Sequence, residues 1–139
     1  MSAVASEAPR PELLVETSAL VAILFEEPEW EAFTDLILAT KSLTTSVNVF
    51  EAVLALTKIV ANPATEAHAR VLKLIRRLAV EIVPLTPEMI PHAVAARERY
   101  GRGRKGLNMG DCLSYAAAKQ LGLKLLYKGE DFAATDVNG

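Results

Sequence analysis

A chain of 139 residues with 51% apolar and 23% charged side chains has the makeup of one globular domain, which excludes a disordered or fibrous chain and leaves little room for two domains. A formal net charge of −2 argues against a generally basic, nucleic-acid-coating surface, although a local basic patch stays open. The single cysteine, Cys112, cannot form an internal disulfide, and no Cys/His cluster has zinc-ligand spacing; both facts point to a reducing cytoplasm.

Residues 1–12, "MSAVASEAPRPE", lack the apolar core of a signal peptide and read as a loose tail ahead of a domain spanning 13–139. Leu13 to Val15 reads as a short strand, and the apolar spacing of Leu20, Ile23 and Leu24 predicts a short helix after it. The longest apolar run, Ala19 to Phe25, is far short of the ~20 residues that a membrane span needs. Pro28 sits where a first-turn proline is tolerated and opens a second helix to about Leu38, followed by "SLTTS" as a strand or edge.

Val47 to Val60 is almost wholly apolar, which predicts a helix buried on most of its circumference and stopped at Asn62-Pro63. Pro63 to Ala79 is helical, "VEIVPL" from Val80 is a strand, and Thr86-Pro87 begins a helix from Glu88 to about Tyr100. "GRGRKG" at 101–106 is a glycine-punctuated basic loop. A last helix runs from Asn108 to Leu121 with Gly122 as its stop, then "KLLY" is a strand and "KGEDFAATDVNG" a terminal loop with room for one short strand. Strands alternating with helices predict an α/β domain with a mainly parallel sheet, whose functional groups gather beyond the carboxyl ends of the strands.

Four acids draw attention. Glu16 interrupts the apolar run "LLVETSALVAILF" at a strand end; Glu51 is the only acid of the most apolar helix; Asp111 lies three residues after Asn108; Asp131 follows the last strand. Three have a plain alternative: an exposed stripe with Asn48 and Lys58 for Glu51, helix capping for Asp111, a solvated turn for Asp131. Gly110, a poor helix residue beside Asp111, leaves room for close approach. Together they can converge in an α/β sandwich, and carboxylates that close repel unless a cation neutralises them. Oxygen-only ligands suit Mg²⁺, with Mn²⁺ as the other choice, and such ions lead to phosphodiester chemistry.

These residues resemble the PIN-domain ribonucleases, and within them the VapC-type toxins of bacterial toxin–antitoxin pairs. The resemblance is carried by "LLVETSALVAILFEEPEWEAF", by "TTSVNVFEAVLAL" and most specifically by "GLNMGDCLSYAAAK" with "KGEDF", over roughly residues 13 to 137. It implies a three-layer α/β/α sandwich with a central, mainly parallel sheet. Glu51, Asp111 and Asp131 would take the family's catalytic and metal-binding positions, with Glu16 as a further ligand and Thr17, Ser18 and Asp136 in support. The family form of the first motif is "DTSAL", so Glu16 departs from it by one methylene, on the order of 1 Å, and a shift of that size weakens a site.

The function so implied is a Mg²⁺-dependent endoribonuclease toxin in which metal-activated water leaves 5′-phosphate and 3′-hydroxyl ends. "RERYGRGRK" supplies basic side chains, among them Arg102, Arg104 and Lys105, that would hold the RNA backbone. A homodimer and a VapB-like antitoxin partner follow from the resemblance alone. Two rivals are a PIN-like module that binds RNA or protein without cutting, and a small-molecule phosphoesterase, for which an aspartyl nucleophile motif is missing. Cys112 reads as a small buried hydrophobe, and His68 and His92 as surface residues.

Overall fold

The computed structural model of the chain describes residues 10–60, 63–103 and 106–137. Four strands, β1 (Leu13–Val15), β2 (Ser42–Thr45), β3 (Glu81–Val83) and β4 (Lys124–Leu126), make one sheet in the order β3-β2-β1-β4, every pair parallel. Leu14 stands opposite Leu43 on one side and Leu125 on the other. Parallel neighbours cannot be joined by tight turns, so each connection crosses over through helices.

Those helices are α1 (Thr17–Leu24), α2 (Trp30–Ala39), α3 (Ser46–Ile59), α4 (Ala64–Arg77), α5 (Ile90–Tyr100) and α6 (Met109–Leu121). Strand side chains alternate between faces. Leu13, Val15 and Leu126 pack with the apolar sides of α1, α3 and α4, while Leu14, Leu43 and Leu125 pack with α6. Two cores separated by one sheet give the expected three-layer α/β/α sandwich.

Several boundaries differ from the sequence expectation for local reasons. Helix α2 begins at Trp30, because Pro28 lies in a turn in which Trp30 N donates to Glu27 O at 2.9 Å. The helix expected from Glu88 opens as a 3-10 turn, Pro87–Met89, before α5 begins. Helix α3 is not buried all round: Val49, Ala52, Val53 and Leu56 face the core, but Phe50 and Ile59 are 61% and 65% exposed. Glu12, the last residue of the expected tail, is bonded on both sides, its N donating to Lys41 O and its O accepting from Lys124 N, and residues 1–9 of that tail lie outside the described residues. The described part of the terminal segment holds turns and no strand, and a bond from Leu125 N to Val137 O closes the β4 edge there. Among the described residues no helix is long and apolar enough to cross a membrane.

Candidate active site

At the carboxyl ends of β1 and β2 the chain turns straight into helices, so the first helical turns of α1 and α3 stand side by side there. Glu16 is the N-cap of α1, with extended backbone (φ −84°, ψ 160°). Its carboxylate curls back to accept from Ser18 N at 3.0 Å and from Ser18 Oγ. Short acids and amides are the usual choice for this duty. The start of α1 is also tied to the exit of β4, by Glu16 N to Leu126 O (2.9 Å) and Lys128 N to Ser18 Oγ (2.8 Å).

Glu16 is only 6% exposed. Burial pushes its carboxyl up to about 7, against the two bonds from Ser18, and the charges of Asp111 and Glu51 push it the same way. That mutual repulsion places Glu16 within electrostatic reach of two other expected acids.

Glu51 projects from the third helical position after Asn48 and accepts from Thr17 Oγ1 at 2.8 Å through Oε1. Its other oxygen lies against Gly110: a Cβ built at that glycine would come 2.8 Å from Glu51 Cδ. No side chain larger than hydrogen fits there without moving the carboxylate. Gly110 therefore serves close approach, as its awkward place in a helix suggests.

Asp111 performs the capping duty weighed for it. Asn108 Oδ1 accepts from Asp111 N at 2.8 Å and Asp111 Oδ2 accepts from Asn108 N at 3.1 Å, a complete capping box. Its second oxygen has no hydrogen bond among the described residues. Burial raises its carboxyl above the ordinary value, opposed by the Asn108 bond and reinforced by Asp131 and Glu51. Asp131 itself is exposed, on the loop after β4, at the rim of this group.

Of the expected supporting residues, Thr17 and Ser18 lie in the group, bonded to Glu51 and Glu16. Asp136 lies elsewhere. It pairs with Lys119 at 2.8 Å near the carboxyl end of α6, about two turns from Asp111, and it also accepts from Tyr115. Arg102 is exposed in the loop before α6, whereas Arg104 and Lys105 lie outside the described residues. Cys112 is buried and its thiol is pushed up by burial, as a small apolar side chain would be. His92 meets Gln120 at the surface and His68 is exposed, so neither joins the acids.

Sequence reasoning gave Ser114 no role and placed Asn48 only in an alternative exposed stripe beside Glu51, whereas Asn48 is buried. Asn48 is fully buried, with its amide 3.0 Å from Thr17 Oγ1 and 2.9 Å from Ser114 Oγ. The signal was present: an amide and a hydroxyl in otherwise apolar helices need partners when buried.

All the converging acids offer oxygen alone, a donor set for a hard divalent cation. Yet among the described residues no three acids, histidines or cysteines close on one point as a ready cation site. Glu16 has turned to Ser18 and Asp131 stands at the rim. Glu51, whose Oε2 borders Gly110, and Asp111, the next residue of α6, form the inner pair. The group fits an ion that retains several waters, as Mg²⁺ does, because carboxylates can then reach it through those waters.

Comparison with known proteins agrees with the fold. The PIN domain family matches residues 13–138. Ribonuclease VapC30 of Mycobacterium tuberculosis is 39% identical over 129 residues, covering 90% of this chain and 95% of its own. Two solved structures share the fold at TM-score 0.70: the Mycobacterium tuberculosis Sarcin-Ricin loop cleaving toxin VapC20, at 15% identity with 90% and 95% of the two chains covered, and a toxin–antitoxin complex from Klebsiella pneumoniae, at 17% identity with 92% and 96% covered. With its fold, its family match over residues 13–138 and its near-full-length likeness to a VapC ribonuclease, the chain belongs to the PIN-domain family, among the VapC ribonucleases.

Proposed function

We propose that the chain is the endoribonuclease toxin of a type II toxin–antitoxin pair and that it cuts RNA with a divalent cation, Mg²⁺ or Mn²⁺. The observation that carries this is the gathering of Glu16, Glu51, Asp111 and Asp131 at one end of a parallel sheet, with Glu16 and Asp111 each raised by burial first and further by neighbouring acids. Such a group is stable only when protons or a cation offset its charge.

Glu51 and Asp111 would hold the ion, Glu16 would join directly or through water once released from Ser18, and Asp131 would orient the attacking water from the rim. The bound ion supplies a water of lowered pKa and charge stabilisation for the leaving 3′-oxygen. In-line attack at phosphorus then leaves a 5′-phosphate and a 3′-hydroxyl. Arg102, with Arg104 and Lys105 of the same basic loop, would grip the phosphate backbone, so binding weakens steeply with salt. A VapB-like antitoxin and a homodimer are the partners that membership of the VapC ribonucleases supports, and a single buried cysteine suits a cytoplasmic home.

A second reading has its own support. Glu16 carries a longer side chain than the aspartate of the family motif and spends it on Ser18, which favours a chain that binds RNA and cuts it slowly or not at all. One experiment separates the two. Purified chain is incubated with structured RNA and Mg²⁺ beside Asp111→Ala and beside excess chelator. Cleavage lost in both controls supports the metal nuclease, whereas RNA binding without Asp111-dependent cleavage supports the binding module.

A further inference from the structure

Asn48 is the most constrained polar side chain near the acids. It is fully buried at the start of α3, and one atom of its amide meets two hydroxyls, Thr17 Oγ1 from α1 and Ser114 Oγ from α6. The opposite amide atom has no partner among the described residues. Thr17 has a single hydroxyl proton, and Glu51 Oε1 at 2.8 Å is a better acceptor than an amide because it is charged. With the amide oxygen facing Thr17, Glu51, that amide oxygen and, more distantly at 3.4 Å, the Asn48 backbone carbonyl compete for that one proton while a buried NH₂ goes unused.

A half-turn of the amide removes the conflict, since its oxygen and nitrogen occupy equivalent positions and the network decides between them. The two N–H groups then donate one each to Thr17 and Ser114. Thr17 keeps its proton for Glu51. The group left over is a carbonyl, which is tolerated unpaired more readily than an N–H.

We propose that Asn48 directs its NH₂ toward Thr17 and Ser114, and that Asn48, Ser114 and Thr17 are positioning residues that hold Glu51 for cation binding. The bonds run one way, from Asn48 to Thr17 to Glu51. Oε1 of Glu51 is fixed by Thr17 while its other oxygen is confined by Gly110. Ser114 lies one turn beyond Asp111 on α6, so that helix contributes one acid directly and steadies a second through Asn48. The inference rests on the divalent-metal reading of the site.

The test uses the full chain, prepared metal-free, with Mn²⁺ binding followed by electron paramagnetic resonance and folding by melting temperature. Thr17→Val is expected to weaken Mn²⁺ binding about tenfold and Thr17→Ser to restore it, in line with the effect of removing a group that orients a ligand. Ser114→Ala is expected to weaken it by a smaller factor, and the double variant Thr17→Val/Ser114→Ala no more than Thr17→Val alone. In the wild-type chain, NMR should show both Asn48 amide protons close to side-chain protons of Thr17 and Ser114. Additive losses, a lowered melting temperature with unchanged Mn²⁺ affinity, or amide protons remote from both hydroxyls would each overturn the proposal. A wild-type chain that binds no Mn²⁺, or Asp111→Ala that binds it equally, sinks the metal reading itself and this inference with it.

Discussion

Gly110 of α6 lies directly against the carboxylate of Glu51 on α3, so two helices from opposite faces of the sheet meet with nothing but a hydrogen between backbone and acid. Gly110→Ala should cost the fold little: in the first turn of α6 alanine recovers at most about 1 kcal/mol over glycine, against about 1–3 kcal/mol for overpacking. Glu51 must give way, however, and loses its bond from Thr17. RNA cleavage is expected to fall about 10²-fold with the melting temperature within a few degrees, a split measured by parallel activity and unfolding curves. Unchanged activity would mean that Glu51 can be moved without harm.

The raised carboxyl of Glu16 sets a pH dependence with a definite sign. Between 4.5, its ordinary value, and about 7 in the folded chain, the native state holds a proton that the unfolded chain has released. Stability therefore falls as pH rises through that window, by about 3 kcal/mol in total, and Asp111, shifted the same way, adds to the fall. Denaturant titrations of metal-free protein at pH 5 and pH 8 should show this loss. Glu16→Gln should remove most of it, and Mg²⁺ should restore stability at pH 8. A flat profile would mean that Glu16 is solvated in the folded chain.

Much of this site was legible from residue types alone, because each acid stood out against its local background: Glu16 inside an apolar run, Glu51 alone in an apolar helix, Asp111 beside a glycine. Strand–helix alternation then put three of them at one end of a sheet. What could not be read was orientation. Nothing in the spacing of residues 16 to 18 reveals that Glu16 folds onto Ser18, since a capping acid and a pocket acid occupy the same position. Asp136 misled for the opposite reason, as an acid close in sequence to Asp131 that a turn at Phe132–Thr135 carries to Lys119. The helix expected over Val47 to Val60 is present as α3, but it is buried on one side only, because apolar content without its period does not show that Phe50, Leu54 and Ile59 fall on the outer side.

Shortening Glu16 tests whether its extra methylene matters. Aspartate caps helices as well as glutamate or better, so Glu16→Asp should keep the melting temperature close to that of the wild type. Its carboxylate would sit about 1 Å nearer the strand end, matching the family motif. Cleavage of RNA at fixed Mg²⁺ is expected to rise, by as much as about 10²-fold. A fall in activity would show that the pocket is built around glutamate.

Lys128 joins three segments of the rim. Its Nζ lies 3.0 Å from Glu27 and 3.3 Å from Glu29 in the turn before α2, while its backbone N–H holds Ser18. The side chain is partly exposed, so Lys128→Met should cost little global stability. Locally the loop carrying Asp131 loses a tether. Hydrogen exchange across residues 128–133 is expected to quicken while that of β1 stays slow. Equal protection in both proteins would show that the backbone bond to Ser18 is tether enough.

Asp131 and Asp136 stand five residues apart in one short loop, and the structure gives them opposite surroundings. Asp131 adds its charge to Asp111, whereas Asp136 is held below the ordinary carboxylate range by Lys119 first and by Tyr115. Asp131→Asn should therefore lower cleavage, by about 10²-fold if the carboxylate orients or accepts a proton from the attacking water, with no loss of stability. Asp136→Asn removes an exposed ion pair worth less than about 1 kcal/mol and leaves the acids at the sheet end untouched. Its cleavage rate should match the wild type even where its melting temperature drops slightly. Equal activity losses in the two variants would place Asp136 in the reaction after all, and would require the terminal loop to swing Asp136 from Lys119 toward Asp111 when RNA binds.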